Sequence, residues 1–180
     1  ILRCLVGSEM CIRDRALISD VIIENNGGGT GNTVAFGSGM LTTTFENCLV
    51  RNNSVENYAG LRNATAIRCI LHGNSGWNNT GVLLECDSYN CVVYGNGGGA
   101  NNPWTSSGLS GGSARNCIFW GNAKQAAYNP TSIEFCLNSN HIGAGNITGN
   151  PGFTSPENGD FSLLENSIAI DAGDPSAEYN

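Results

Sequence analysis

Asn90-Cys91-Val92-Val93-Tyr94-Gly95-Asn96 is the stretch that decides the fold, because it recurs along the chain. Each copy consists of a polar residue, Cys, two apolar residues, a variable position, Gly or Asn, and a final Asn. Further copies begin at residues 47, 68 and 116, a copy without Cys begins at residue 20, and a degenerate copy surrounds Cys136. The equivalent positions 21, 48, 69, 91, 117 and 136 are separated by 19 to 27 residues. Self-similarity at such intervals is typical of a solenoid.

The copies predict strands rather than helices. Their intervals are too short and too irregular for paired helices, and they lack the apolar period of about 3.6 residues that a helix needs. Short apolar runs that stop at Gly-Asn or Asn-Asn are typical of strands. Strands of successive coils would stack about 4.8 Å apart, and parallel crossovers are right-handed in nearly all cases. We therefore predict an all-β fold, a right-handed parallel β-helix (a solenoid) of about six to seven short coils.

Stacking would align equivalent side chains in columns. Cys48 and Val50 point to one side of the strand and Leu49 to the other, and because both sets are apolar the side that faces the core stays open. Neighbouring thiols could be bridged, but parallel side chains are poorly oriented for a disulfide bond, so we expect free, buried thiols that act as small hydrophobic residues. The final Asn of each copy tolerates a left-handed bend, and its amide can bond to the next coil. The predicted structural columns are Cys48, Cys69, Cys91, Cys117 and Cys136, and Asn53, Asn74, Asn96 and Asn122.

Two segments resemble parts of known proteins. From residue 16 to about 150 the pattern resembles the asparagine ladder of right-handed parallel β-helix proteins. The C-terminal stretches Asn158-Gly159-Asp160-Phe161 and Ala169-Ile170-Asp171-Ala172-Gly173-Asp174-Pro175 resemble the closing segment of bacterial secreted β-helix repeat proteins in the pectate-lyase-like superfamily. The chain departs from that pattern where Ile168 replaces a proline. The resemblance implies an extracellular or cell-surface protein and a chain that continues past Asn180.

Residues 4–15 resemble a translated sequencing adapter. We therefore expect residues 1–15 to be an artefact, residues 16–148 to form the β-helix repeats, and residues 149–180 to form truncated closing coils of the same domain. On this expectation the native N-terminus is missing, and the lack of a signal peptide carries no weight.

Composition limits the partners. The net charge is −7 and Lys124 is the only lysine among 180 residues, which argues against nucleic acid and anionic membranes, because phosphate contacts need clustered Lys and Arg. No apolar stretch is long enough to span a membrane. No metal site is expected, since no Cys-x-x-Cys occurs. Asp160, Asp171 and Asp174 could bind Ca²⁺, but without a run of alternating acidic ligands loop capping is favoured, and no cofactor is expected.

A column of polar and aromatic residues is the feature most relevant to function. The fifth position of each copy would form an exposed line along the coils, and such a line suits a polysaccharide, because sugar rings stack on aromatic faces. The same position could also be only a variable solvated one. The candidate ligand-binding residues, here called the outer line, are Arg51, His72, Tyr94 and Trp120, and Glu24 extends it by one coil.

Two functions remain open. The first is a fragment of a secreted or cell-surface protein that acts as a carbohydrate-binding or adhesive scaffold. The alternative is a polysaccharide lyase or glycoside hydrolase of the pectate-lyase-like superfamily whose catalytic coils are missing or degenerate. A glycosidase of this kind needs close carboxylates, and neither Asp-Asp nor Gly-His-Gly occurs in the chain. We assign no catalytic residue and expect no activity on pectin, alginate or polygalacturonate. Ligand, source and oligomeric state stay open.

Overall fold

A computed structural model describes the part of the chain that forms the repeats and the C-terminal segment. The described residues are 16–27, 43–55, 59–76, 81–98, 106–138 and 140–176. Residues 1–15, which we expect to derive from an adapter, lie outside this part.

Short strands follow one another coil by coil. The first coil contains β1 (Leu17–Ser19) and β2 (Ile22–Glu24), and the second contains β3 (Thr43–Glu46), β4 (Leu49–Arg51), β5 (Ser54–Val55) and β6 (Leu61–Arg62). The third contains β7 (Ala64–Ile67), β8 (Ile70–His72), β9 (Ser75–Gly76) and β10 (Leu83–Leu84). The fourth contains β11 (Asp87–Tyr89), β12 (Val92–Tyr94), β13 (Gly97–Gly98) and β14 (Leu109–Ser110). Then come β15 (Ser113–Arg115), β16 (Ile118–Trp120), β17 (Ala127–Tyr128) and β18 (Ser132–Glu134), and finally β19 (Phe153–Ser155), the short 3₁₀ helix Pro156–Asn158 and β20 (Asp160–Leu163).

Equivalent strands of successive coils pair in parallel and form four faces. The first face is the six-stranded sheet β1-β3-β7-β11-β15-β18, and the second is the five-stranded sheet β2-β4-β8-β12-β16. The third is β5-β9-β13, and the fourth is β6-β10-β14-β17. The predicted parallel β-helix is confirmed. The described part forms about four turns, with six strands in its longest sheet, against the six to seven coils expected. The right-handed sense stays a prediction.

Left-handed residues turn the chain at the corners between faces. Between the first and second faces, the residue before Val21 and before each column Cys has a φ near +50°, from Asp20 (56°) to Phe135 (50°). Between the second and third faces, φ is 53° at Asn52, 65° at Gly73 and 59° at Gly95. The prediction that the final Asn makes this bend is wrong, because the left-handed residue is the Gly or Asn one position earlier. Glycine suits that position since it lacks a Cβ.

The final Asn of each copy lies inside the corner and joins neighbouring coils. Asn53 Nδ2 donates to Asn74 Oδ1 at 2.9 Å, Asn74 Nδ2 to Asn96 Oδ1 at 3.1 Å, and Asn96 Nδ2 to Asn122 Oδ1 at 3.1 Å. Asn26 adds one more step to this column through Asn53 Oδ1. Each Oδ1 also accepts the backbone N–H of the preceding ladder residue, as Asn74 does from Asn53. These bonds satisfy buried polar groups that would otherwise be costly to bury.

The structure settles which side of the strands faces the core. The column cysteines are buried, and so are Val50, Leu71, Val93 and Phe119 two positions after the first four of them, whereas Leu49 and Ile70 point outward and are half-buried. All six described cysteines are free and buried. The core cluster also contains Phe45 on the first face.

The C-terminal segment differs from the closing coils that the sequence suggested. β19 and β20 form an antiparallel pair with each other and join none of the four solenoid sheets. Ile168 and Ile170 lie in turns. Among the described residues, no helix has the length and apolarity needed to cross a lipid bilayer.

Candidate functional site

The outer line is a continuous column on the second face. Arg51 pairs in register with His72, His72 with Tyr94, and Tyr94 with Trp120. All four side chains are half-buried. The parallel register therefore brings the four predicted residues together at one strand spacing, about 4.8 Å per coil.

The environments of Arg51 and His72 in the outer line differ. Arg51 Nε donates to Glu24 Oε2 at 2.6 Å, so the guanidinium of this coil is paired with the acid of the preceding coil. His72 Nε2 is buried and has no hydrogen-bond partner among the described residues. Burial, and then the positive charge of Arg51, lower the pKa of His72. The imidazole is therefore neutral near pH 7.

The middle of the outer line is covered by the chain itself. The Phe161 ring centroid lies 5.3 Å from that of His72 and 5.4 Å from that of Tyr94. Phe153 lies 5.3 Å from Phe161 and 6.4 Å from Tyr94, both edge-on. We call residues 150–176, which carry these two phenylalanines, the strap.

A polar cluster holds the far end of the strap. Arg115 at the end of β15 forms ion pairs with Glu134 and with Asp174 of the strap, and its guanidinium lies 5.5 Å from the Phe135 ring centroid. The backbone N–H of Asp174 donates to Asn116 Oδ1 at 2.8 Å. The Ser176 N–H, together with Arg115, lowers the pKa of Asp174. Sequence analysis missed this cluster, because Arg115 lies outside the repeated heptapeptide.

The aspartates considered for calcium are engaged with nearby backbone. Asp160 Oδ1 accepts from the Ser162 N–H at 3.0 Å, and Asp174 Oδ1 accepts from the Ser176 N–H at 2.9 Å. Asp171 is exposed in a turn with φ at 56°. Within the described ranges, no group of three or more His, Cys, Asp or Glu side chains could hold a metal ion.

Trp120, the last residue of the outer line, lies beside a cleft. The cleft has a volume of about 210 Å³ and opens past the last ladder residue, Asn122. Lys124, Asn138 and Asn140 also line it. Its chemistry combines an aromatic surface, amide groups and the only lysine of the chain.

Comparison with known proteins identifies no relative: no family model, curated protein or solved structure matches the chain. The fold and the geometry of the outer line are therefore the observations from which a function can be inferred.

Proposed function

We propose that this chain is a carbohydrate-binding scaffold of a secreted or cell-surface β-helix protein, which also suits an adhesive role. The observation that carries the proposal is the register of Arg51, His72, Tyr94 and Trp120, one residue per coil on one face. A linear polymer of repeating units matches a surface that repeats along one axis. The resemblance of the C-terminal sequence to secreted proteins of the pectate-lyase-like superfamily supports the location.

The Trp120 end of the outer line, which borders the cleft, is the part that suits a sugar first. Trp120 offers an aromatic surface, and Lys124 and Asn140 border the same cleft as hydrogen-bonding groups. Binding sites for small polar ligands combine an apolar or aromatic wall with a few polar groups that fix orientation. Each aromatic contact contributes only about 1 kcal/mol, so binding to a short oligosaccharide should be weak and should improve with chain length.

The test is a glycan array, followed by calorimetric titration with cellohexaose and with hexagalacturonate. We expect Trp120→Ala to weaken binding by about tenfold, which corresponds to about 1.4 kcal/mol. Tyr89→Ala is the matched control, because Tyr89 is a half-buried aromatic residue at the end of β11 on the first face. Absence of binding to every glycan, or equal losses in the two variants, would contradict the proposal. Release of unsaturated uronate from polygalacturonate by the purified chain would identify a lyase instead.

A further inference from the structure

We infer that the strap is a displaceable cover of the outer line, so that the glycan site has a closed and an open form. This inference concerns regulation of the site and rests on the proposed function. It begins from the observation that the residues expected to contact a sugar, His72 and Tyr94, contact Phe161 of the same chain.

The strap is joined to the solenoid at a defined point. Asn138 Nδ2 donates to the Gly149 carbonyl oxygen at 2.6 Å, and Asn138 Oδ1 accepts the Gly149 N–H at 2.9 Å. Beyond that point the strap strands β19 and β20 pair only with each other in the described part of the chain. The strap therefore keeps its own hairpin hydrogen bonds whether it lies on the solenoid or away from it.

The strap is held on the solenoid at two places, one on the second face and one at the corner between the first and second faces. The first is the aromatic cluster of His72, Tyr94, Phe153 and Phe161, and the second is the bond pair between Asp174 and the residues Arg115 and Asn116. Beside the Asp174 contacts, an open cleft of about 200 Å³ separates Ile118 of β16 from Ala169 and Ala172 of the strap.

Phe161 occupies the surface that a sugar ring would use. Its ring lies against Tyr94 and His72 on adjacent coils, so a polymer that extends from Trp120 along the outer line must displace it. When the strap leaves, the sugar replaces the Phe161 ring against Tyr94, so one stacking contact on the Tyr94 ring is exchanged for another. A short glycan would stay at Trp120, whereas a long glycan would gain Tyr94 and His72 when the strap leaves.

The experiment weakens the polar end of the strap in the full chain. Asp174→Asn removes the charge that pairs with Arg115 and keeps the shape of the side chain, and Phe161→Ala removes the aromatic contact independently. Asp171→Asn is the matched control, because Asp171 is an exposed strap residue with φ at 56°, a conformation that Asn also tolerates. Amide hydrogen exchange is compared between β19–β20 and β8–β12, and cellohexaose and hexagalacturonate are titrated by calorimetry.

We expect Asp174→Asn and Phe161→Ala to speed exchange in β19–β20 at least fivefold while β8 and β12 stay unchanged. Each of the two variants should bind the hexasaccharide about threefold to tenfold more tightly than the wild-type chain does. Adding Tyr94→Ala to either variant should remove this gain. Asp171→Asn should change neither quantity.

Other outcomes separate this inference from the proposed function. Equal acceleration of exchange in the strap and in β8–β12 would show that the strap is an integral part of the solenoid, and the inference would be wrong whatever binds. Faster strap exchange without tighter binding, in a chain whose binding still depends on Trp120, would overturn the inference and leave the proposed function standing. A strap that opens in a chain that binds no glycan in either form would overturn both.

Discussion

At the residue scale, the recurring Cys has a specific place in each corner. Its thiol donates to the carbonyl of the residue two positions earlier, with Sγ–O distances of 3.3 Å from Cys48 to Glu46 and 3.2 Å from Cys91 to Tyr89. That carbonyl precedes the left-handed residue, where the chain turns away from the sheet. Cys86 follows the left-handed Glu85 and bonds to Leu84 in the same manner at the corner between the fourth and first faces. A small apolar residue with a weak donor therefore suits all these corners.

The buried thiols should be unreactive in the folded chain. Burial raises the pKa of the Cys86 thiol from 9.0 to about 12, and only the thiolate reacts with disulfide reagents. All six described cysteines are buried, which keeps a reagent away from them, so we expect none to be labelled at pH 8 until the chain is unfolded. Mass spectrometry after labelling with and without denaturant checks this, and labelling of Cys86 in the folded chain would contradict it.

The same shift predicts a loss of stability at high pH. The unfolded thiol ionises near 9.0 and the folded Cys86 thiol near 12, so between these values the unfolded state binds fewer protons. The free energy of unfolding should therefore fall as pH rises through this range. Cys86→Ala should show a shallower fall in urea titrations from pH 8 to pH 11, and identical slopes for the two chains would argue against the prediction.

The asparagine column should carry measurable stability. The Asn74 side chain makes four hydrogen bonds, from the N–H and Nδ2 of Asn53 and to Val50 O and Asn96 Oδ1. Asn74→Ala leaves those partners unsatisfied in the interior, and each buried unsatisfied group costs about 1–3 kcal/mol. We expect a loss of about 3 kcal/mol by urea denaturation. Asn166→Ala, at an exposed turn position, should change stability by less than about 0.5 kcal/mol. A similar effect in both variants would exclude a structural role for the column.

At the element scale, the second face carries two columns of outward-facing side chains, one apolar and one polar and aromatic. One contains Ile22, Leu49, Ile70, Val92 and Ile118, and the other is the outer line with Glu24. An apolar column on the outside of a sheet requires a cover if it is not to meet water. The strap covers the outer line over β8 and β12, while Ile22 on the first coil stays 58% exposed. The strap is therefore a cover for the third and fourth coils of the second face.

The corner glycines differ in how much space they leave for a side chain. A Cβ on Gly112, with φ at 66°, would lie 2.0 Å from the Cys86 carbonyl oxygen, whereas a Cβ on Gly95, with φ at 59°, would meet nothing within 4 Å. Gly95→Ala should cost about 1–2 kcal/mol, because only the left-handed conformation is strained. Gly112→Ala should cost several kcal/mol or prevent folding, because backbone must move in two adjacent coils. Thermal denaturation of both variants measures the difference, and equal costs would contradict the close approach of these coils.

At the scale of the whole molecule, the chain is stabilised by contacts between neighbouring coils. In such a solenoid, stability is approximately the sum of coil energies and nearest-neighbour terms. The first coil contacts the second through β1–β3 and β2–β4, and it leaves Leu17 and Ile22 exposed. Local opening should therefore be easier at this end than in the central coils, where strands are paired on both sides.

Removal of residues 1–15 should leave the melting temperature nearly unchanged. The basis is the resemblance of residues 4–15 to an adapter, a sequence that was never selected for this fold. The measurement is the thermal midpoint of a chain that starts at Ala16, compared with the full chain by circular dichroism. A loss of several kcal/mol would show that the segment contributes to the folded domain.

The sequence by itself determined the parallel β-helix, the positions of the strands of its second face and the membership of its columns. It could do so because each coil contacts mainly its neighbours, so that the same local requirements recur and appear as a repeat. The position and the chemistry of the outer line followed from the spacing of the repeat alone. The sequence also left the facing of the strands open, since Leu49 and Val50 are both apolar, and it placed the left-handed bend one residue too late.

Only the tertiary structure decided what covers the outer line. Contacts of Phe161 with His72 and Tyr94, and of Asp174 with Arg115, join residues far apart in the chain. They occur once and follow no period, so a repeat pattern cannot reveal them. Their geometry depends on where the chain leaves the last coil at Gly149 and on the hairpin that follows. Packing likewise decided the facing of the strands, because the thiol column and the residues on its side fill the interior, whereas Leu49 and its equivalents lie outside.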